Sequence, residues 1–174
     1  MTSATTSPDP LQQPGLSWGI KRSFIDYIHG LPDASVSAVD GAVVDPAPAF
    51  RFAPDRADYD VETGTGVLRF RGDVRLSGHQ GMMFVRLLDP WIALTGGRGI
   101  LSISTGEDAG KERTAVAVLR AGAPIAAADG SLTWSNIEVA ITDEGSALFD
   151  GQYAAGQPMD PLFVRLPGRD SRGA

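Results

Sequence analysis

The stretch from Val67 to Ser77 constrains this chain more than any other. Leu68, Phe70, Gly72, Val74 and Leu76 alternate with Arg69, Arg71, Asp73, Arg75 and Ser77. A period of two sorts the apolar side chains to one face of a strand and the polar ones to the other, which a helix of the same residues could not do. We read it as one long, half-buried strand bent at Gly72. Glu62-Thr-Gly-Thr-Gly66 just upstream supplies a turn, so the segment pairs as a hairpin with an earlier strand around Phe50 to Phe52 or Tyr59 to Val61. Beyond the break at Ser77-Gly-His-Gln-Gly81, similar runs recur at Met82 to Leu88, Gly99 to Ser104, Arg113 to Arg120, Leu132 to Trp134 and Ile137 to Ile141. Short strands separated by Gly, Pro, Asp and Asn indicate antiparallel sheets packed as a sandwich or barrel. With 21 glycines and 12 prolines among 174 residues, a helical bundle is disfavoured. The expected fold is mainly β, an antiparallel β-sandwich-like domain.

One segment carries a helical period instead. Ile20, Phe24, Tyr27 and Ile28 fall at i, i+4, i+7 and i+8; Ser17 can cap the start, and Gly30 followed by Leu31-Pro32 ends it. This predicts a short N-terminal helix at one end of the sheets, with Tyr27 on its apolar face and Ser23 one turn before it. His29 is rotated about 200° from Tyr27 and points elsewhere. Residues 1–15 contain neither a basic nor an apolar export segment and read as a disordered tail. The small and charged residues 168–174 read as a frayed end, leaving 16–167 as one domain. No run is long and apolar enough to span a membrane.

Charge and composition remove several functions. Fifteen Lys and Arg against 21 Asp and Glu give a net charge of −6, which repels phosphate and argues against a nucleic-acid partner. The absence of cysteine excludes disulfides, thiolate nucleophiles, iron–sulfur clusters and covalent c-type haem, so any metal takes N or O ligands. Gly15-Leu-Ser-Trp-Gly19 has the spelling of a nucleophile elbow, but Pro10 to Pro14 cannot form the strand that must precede it. Asp58, Asp60 and Glu62 alternate like a calcium loop, yet its sixth and twelfth positions are Thr63 and Arg69. The nucleotide-binding glycine motifs are absent. Taken by themselves, Tyr27 is a core tyrosine and His79 a turn residue.

Four separated segments change that reading. Leu16 to Ile28 (LSWGIKRSFIDYI), Thr63 to Gly81 (TGTGVLRFRGDVRLSGHQG), Leu88-Asp-Pro90 and Ala147 to Pro161 (ALFDGQYAAGQPMDP) together resemble, in order, the HtaA-type haem-binding domain of Gram-positive haem-uptake proteins. The resemblance extends from about Leu16 to Leu166. It implies a β-sandwich-like domain with a short helix that holds one non-covalent, ferric b-type haem in a crevice. It further implies Tyr27 as the axial iron ligand, His79 from the S-G-H-x-G bend as its hydrogen-bond partner, Ser23 near the haem propionates, and Phe163 as a C-terminal aromatic contact. Trp18, Phe24, Met82 and Met83 are expected mainly in the core, and His29 at the surface.

The chemistry implied is coherent. A phenol ionises only near pH ~10, so it ligates at neutral pH when a ferric ion stabilises the phenolate, and an imidazole N–H on the same oxygen spreads the charge and fixes the ring. Such a site suits haem uptake, transfer or buffering rather than catalysis, with haem-carrier proteins or a haem transporter as partners. The alternatives are a haem enzyme, such as a peroxidase or haem-degrading protein, which needs a distal acid or base, and a cofactor-free interaction domain. With no export signal in the chain as given, the expected location is cytoplasmic; a cell-surface or secreted domain with its signal removed is the alternative.

Overall fold

The computed structural model describes residues 13–45, 49–105 and 112–168. Along the chain lie β1 (Gly15–Trp18), α1 (Arg22–His29), β2 (Ser35–Val39), β3 (Ala42–Asp45), β4 (Ala49–Asp60), β5 (Thr65–Arg71), β6 (Asp73–Gly78), β7 (Met83–Leu88) and β8 (Trp91–Thr95). They are followed by β9 (Arg98–Ser104), β10 (Arg113–Arg120), β11 (Ile125–Ala126), β12 (Leu132–Ile141), α2 (Asp143–Leu148) and β13 (Pro158–Leu166). A single turn of 3-10 helix, His79–Gly81, sits between β6 and β7. Of the expected N-terminal tail, residues 1–12 lie outside the described residues, whereas Gly15 is already paired with Arg165. Of the expected frayed end, only Gly168 is described. Among the described residues no helix is long and apolar enough to cross a membrane.

The expectation of a sandwich is corrected. The main sheet runs β1-β13-β12-β10-β9-β8-β5-β4, and β4 pairs back with β1, closing eight antiparallel strands into a barrel; β3 and β11 attach at its margins. Closure depends on the four residues of β1, which pair on one side with β13 (Leu16↔Val164) and on the other with β4 (Leu16↔Phe52). Periodicity says which face of a strand is buried and is the same in sandwich and barrel. It does not say whether the first and last strands meet. Inward-facing Leu16, Phe52, Leu68, Phe70, Ile92, Leu101, Leu119, Leu162 and Val164 fill the interior.

The second correction concerns the long alternating segment. It is split: β5 belongs to the barrel, whereas β6 pairs with β2 and β7 in a separate three-stranded sheet. Gly72 makes the transfer at φ +152°, and Asp89 secures it from the turn between β7 and β8: the Asp89 carboxylate accepts from the Gly72 amide at 3.0 Å, and the Asp89 amide donates to the Gly72 carbonyl at 2.8 Å. Buried Phe70 and buried Val74 keep the alternation in phase across the transfer, so the sequence shows one strand where the fold has two.

Asp73, at the start of β6, is only 2% exposed although it lies in the charged half of the pattern. The guanidiniums of Arg75 and Arg86 converge on it, each with an Nη2 at 2.9 Å, so one carboxylate ties two neighbouring strands. The Arg86 hydrogen bonds first, then those of Arg75, hold this carboxyl below the usual carboxylate range. Because both guanidiniums are about half exposed, solvent screening limits the effect. We expect Asp73→Ala to cost about 2 kcal/mol at neutral pH. A carboxyl whose folded pKa is depressed stabilises above its unfolded value, near ~3.9, and loses that contribution as pH falls through the folded value. Denaturant titrations of the wild type and the variant should therefore converge in strong acid; a gap unchanged by pH would count against the ion pairs.

Candidate functional site

Helix α1 is short, and the residues preceding it explain where Tyr27 points. Ser17, the expected cap, is instead part of β1; Ile20 turns the chain at φ +63°, and the N-cap is Lys21, which makes no side-chain capping bond. The helix therefore begins after Ile20, and its buried arc is Phe24, Ile25 and Ile28. At 100° per residue Tyr27 lies about 60° from Phe24, on the flank of that arc. It is 41% exposed rather than buried in the core. Ser23 shares this flank and is exposed as well.

His79 reaches the same flank from the end of β6, the central strand of the small sheet. The β2–β6 ladder pairs Ser35 with Ser77. Two residues outward on one strand lies Asp33, joined by a short turn to α1, and two residues outward on the other lies His79. The Tyr27 Oη and His79 Nε2 atoms are hydrogen-bonded, with ring centroids 5.8 Å apart. His79 and Gln80 both adopt left-handed conformations, at φ +51° and +57°. The Asp33 carboxylate accepts the His79 amide at 3.3 Å and also the Gln80 amide. The Gln80 amide, with smaller help from that of His79, keeps the Asp33 carboxyl below its ordinary pKa.

A cleft of about 140 Å³ lies against the start of β7, just beyond the His79 bend; Phe24, Met82, Met83, Phe84, Phe149 and Asp150 are among the residues that line it, and Tyr27 and His79 are not. Met82 is 86% exposed and Phe84 55% exposed. The Met82 amide donates to the His79 carbonyl, which places this side chain at the same bend. On the far wall Phe24 meets Phe149 and Tyr153 edge to face, at 5.3 and 6.2 Å between centroids. Trp18, Phe24 and Met83 are buried, as expected of core residues, but Met82 is not.

Of the four residues implied by the resemblance, Tyr27 and His79 are in contact and Ser23 lies one turn along the same helix. Phe163 lies in β13 with its backbone opposite Ser17, is half-buried, and is not among the residues lining the cleft. The C-terminal aromatic that lines the cleft is Phe149. Sequence reasoning missed Phe149, Phe84 and Asp33. Phe149 sits inside the quoted ALFDGQY string, but neither its period nor its neighbours mark it. Larger clefts exist, about 710 Å³ over the outer side of β10, β12 and β13 and about 570 Å³ beside Pro54 to Val61, and Tyr27 and His79 line neither of them; the small cleft is the one that begins at Met82, whose amide is bonded to His79. Among the described residues no three His, Asp or Glu side chains cluster to hold a bare metal ion.

Comparison with known proteins agrees with this arrangement of strands. The chain is similar to the C-terminal domain of HtaA from Corynebacterium glutamicum, at 26% identity and a TM-score of 0.75, over 88% of this chain and 96% of that one. It is similar in fold to the N-terminal domain of the same protein (22% identity, TM-score 0.71, 88% and 95% covered). It is also similar in fold to the haem-binding protein HtaB from that organism (16%, 0.69, 88% and 92%). No curated protein matches the sequence. The HtaA family model matches residues 13–165, nearly the whole chain, and the protein therefore belongs to the HtaA family.

Proposed function

We propose that the protein binds ferric b-type haem non-covalently, with the Tyr27 phenolate as axial ligand and His79 as its hydrogen-bond partner, for haem uptake, transfer or buffering. The observation that carries this reading is the Tyr27 Oη–His79 Nε2 contact, which joins the helix flank to the bend beyond β6. Family membership and the haem-binding name of HtaB support it.

The donor set fits a metal that brings most of its ligands with it. A phenol and the imidazole behind it offer one axial bond, too little for a bare ion. Bound haem supplies a ferric ion already held by four porphyrin nitrogens, with an axial position for an oxygen anion. Tyr27 and His79 handle the proton between them. In the neutral pair the phenol O–H donates to Nε2; when Oη gives up this proton to Nε2, the resulting N–H donates back to the phenolate, so the pair keeps its net charge. Met82, Phe84 and Phe149 supply apolar contact. A cleft of about 140 Å³ is well below the ~300–1,000 Å³ of pockets that enclose a ligand, so a macrocycle would be gripped at its edge and left partly open. Ser23, one turn from Tyr27, can offer its hydroxyl to a propionate carboxylate. Such a grip favours handing haem on over retaining it for catalysis, and His29, at the exposed C-terminal end of α1, is not placed as a distal acid.

Titrating the purified chain with hemin tests the proposal: a Soret band should saturate at one equivalent, and His79→Ala should weaken binding about 10–100-fold. No saturable band in the wild type would remove the proposal, and sustained peroxide turnover by the complex would replace it with an enzyme.

A further inference from the structure

We infer that Asp33 is the positioning residue of the Tyr27–His79 pair: its carboxylate fixes the bend from which the His79 imidazole reaches the phenol oxygen. Its consequence for haem rests on the function proposed above, but its geometric basis does not.

Two consecutive residues carrying a Cβ, His79 and Gln80, occupy the left-handed region. L-residues visit it as isolated cases and seldom in succession, because Cβ crowds the following carbonyl. Glycines are available on both sides, at 78 and 81, yet the strained conformations fall on the residue whose side chain meets Tyr27 and on its neighbour. Such a bend persists only where its surroundings hold it. Here the two successive amides, of His79 and Gln80, converge on the two oxygens of one carboxylate, an anion-in-a-nest arrangement. Ladder geometry delivers that carboxylate. Asp33 and His79 each lie two residues beyond the Ser35–Ser77 pair, where antiparallel pairing would otherwise continue through the main chain. The side chain of Asp33 substitutes for that pairing and turns the β6 strand end toward α1.

The test uses the full chain with Asp33→Ala and Asp33→Asn, each alone and combined with His79→Ala. In the haem-free protein, the imidazole nitrogen resonances of His79 should report the bond to Tyr27 in the wild type and lose that signature in Asp33→Ala. Asp33→Asn, which retains one acceptor oxygen, should show partial loss. In hemin titrations Asp33→Ala should weaken binding about tenfold or more, and should add nothing once His79 is already alanine. Unaltered imidazole resonances in Asp33→Ala would overturn the inference, as would an equal loss of affinity with and without His79, since a general structural role predicts equality. If Asp33→Ala fails to fold, the nearly isosteric Asp33→Asn decides by the same two readouts. If the wild type takes up no hemin, the function fails, yet the nitrogen resonances still decide the role of Asp33.

Discussion

Tyr27→Phe is expected to abolish the ferric Soret complex, with hemin affinity falling by more than about 100-fold, beyond the ~10–100-fold typical of losing a partner behind a metal ligand. The substitution removes one oxygen and leaves the ring. Tyr27 is 41% exposed, and Phe24, Ile25 and Ile28, which seat the helix, are untouched. The variant should therefore melt within a degree or two of the wild type, and lost haem binding cannot be assigned to lost fold. The His79 side chain is freed by the change, and its amide keeps its hydrogen bond to Asp33. Parallel absorbance titrations and thermal melts measure both quantities. A Tyr27→Phe variant that binds hemin within about tenfold of the wild type would show that the iron is held elsewhere.

Gly72→Ala is expected to destabilise the scaffold by about 3 kcal/mol from combined backbone strain and overpacking. For a chain of this size that corresponds to a fall in Tm of about 6–12 °C. Its φ of +152° disfavours a side chain, and a Cβ there would stand 2.8 Å from the Ala42 backbone nitrogen and 2.8 Å from a ring carbon of buried Phe52. Relief by rotating a surface side chain is not available, because one of these neighbours is backbone and the other belongs to the barrel core. The damage should extend to the site, since β6 leads directly from Gly72 to His79. We expect the folded fraction of Gly72→Ala to lose part of its hemin affinity along with its stability. Denaturant unfolding and hemin titration on the same preparation check both. A variant as stable as the wild type would mean that the strand transfer tolerates a conformation other than the one described.

The alternating residues of β5 and β6 announce which side chains are buried, and the TGTG turn announces the hairpin that β5 makes with β4. What they do not announce is that Gly72 passes the chain from one sheet to another, because inside and outside remain in phase across it. The helix was legible by its period, but its start was not: Ile20 satisfies the periodicity while lying in the turn before the helix, and this displacement brings Tyr27 out of the expected apolar face to the flank. Met82 shows the same limit, a large apolar side chain read as core that the bend carries into solvent.

Sequence by itself determined that this is a β protein with one short helix near its start, and its motifs singled out Tyr27 and His79. Only the tertiary structure decided that eight strands close into a barrel, that these two side chains touch, and that Asp33 and Phe149 stand beside them. The physical reason is range. Burial patterns and turn preferences are set by a few neighbouring residues, whereas barrel closure and the meeting of Tyr27 with His79 depend on ladders between strands far apart in the chain, whose register no local pattern records.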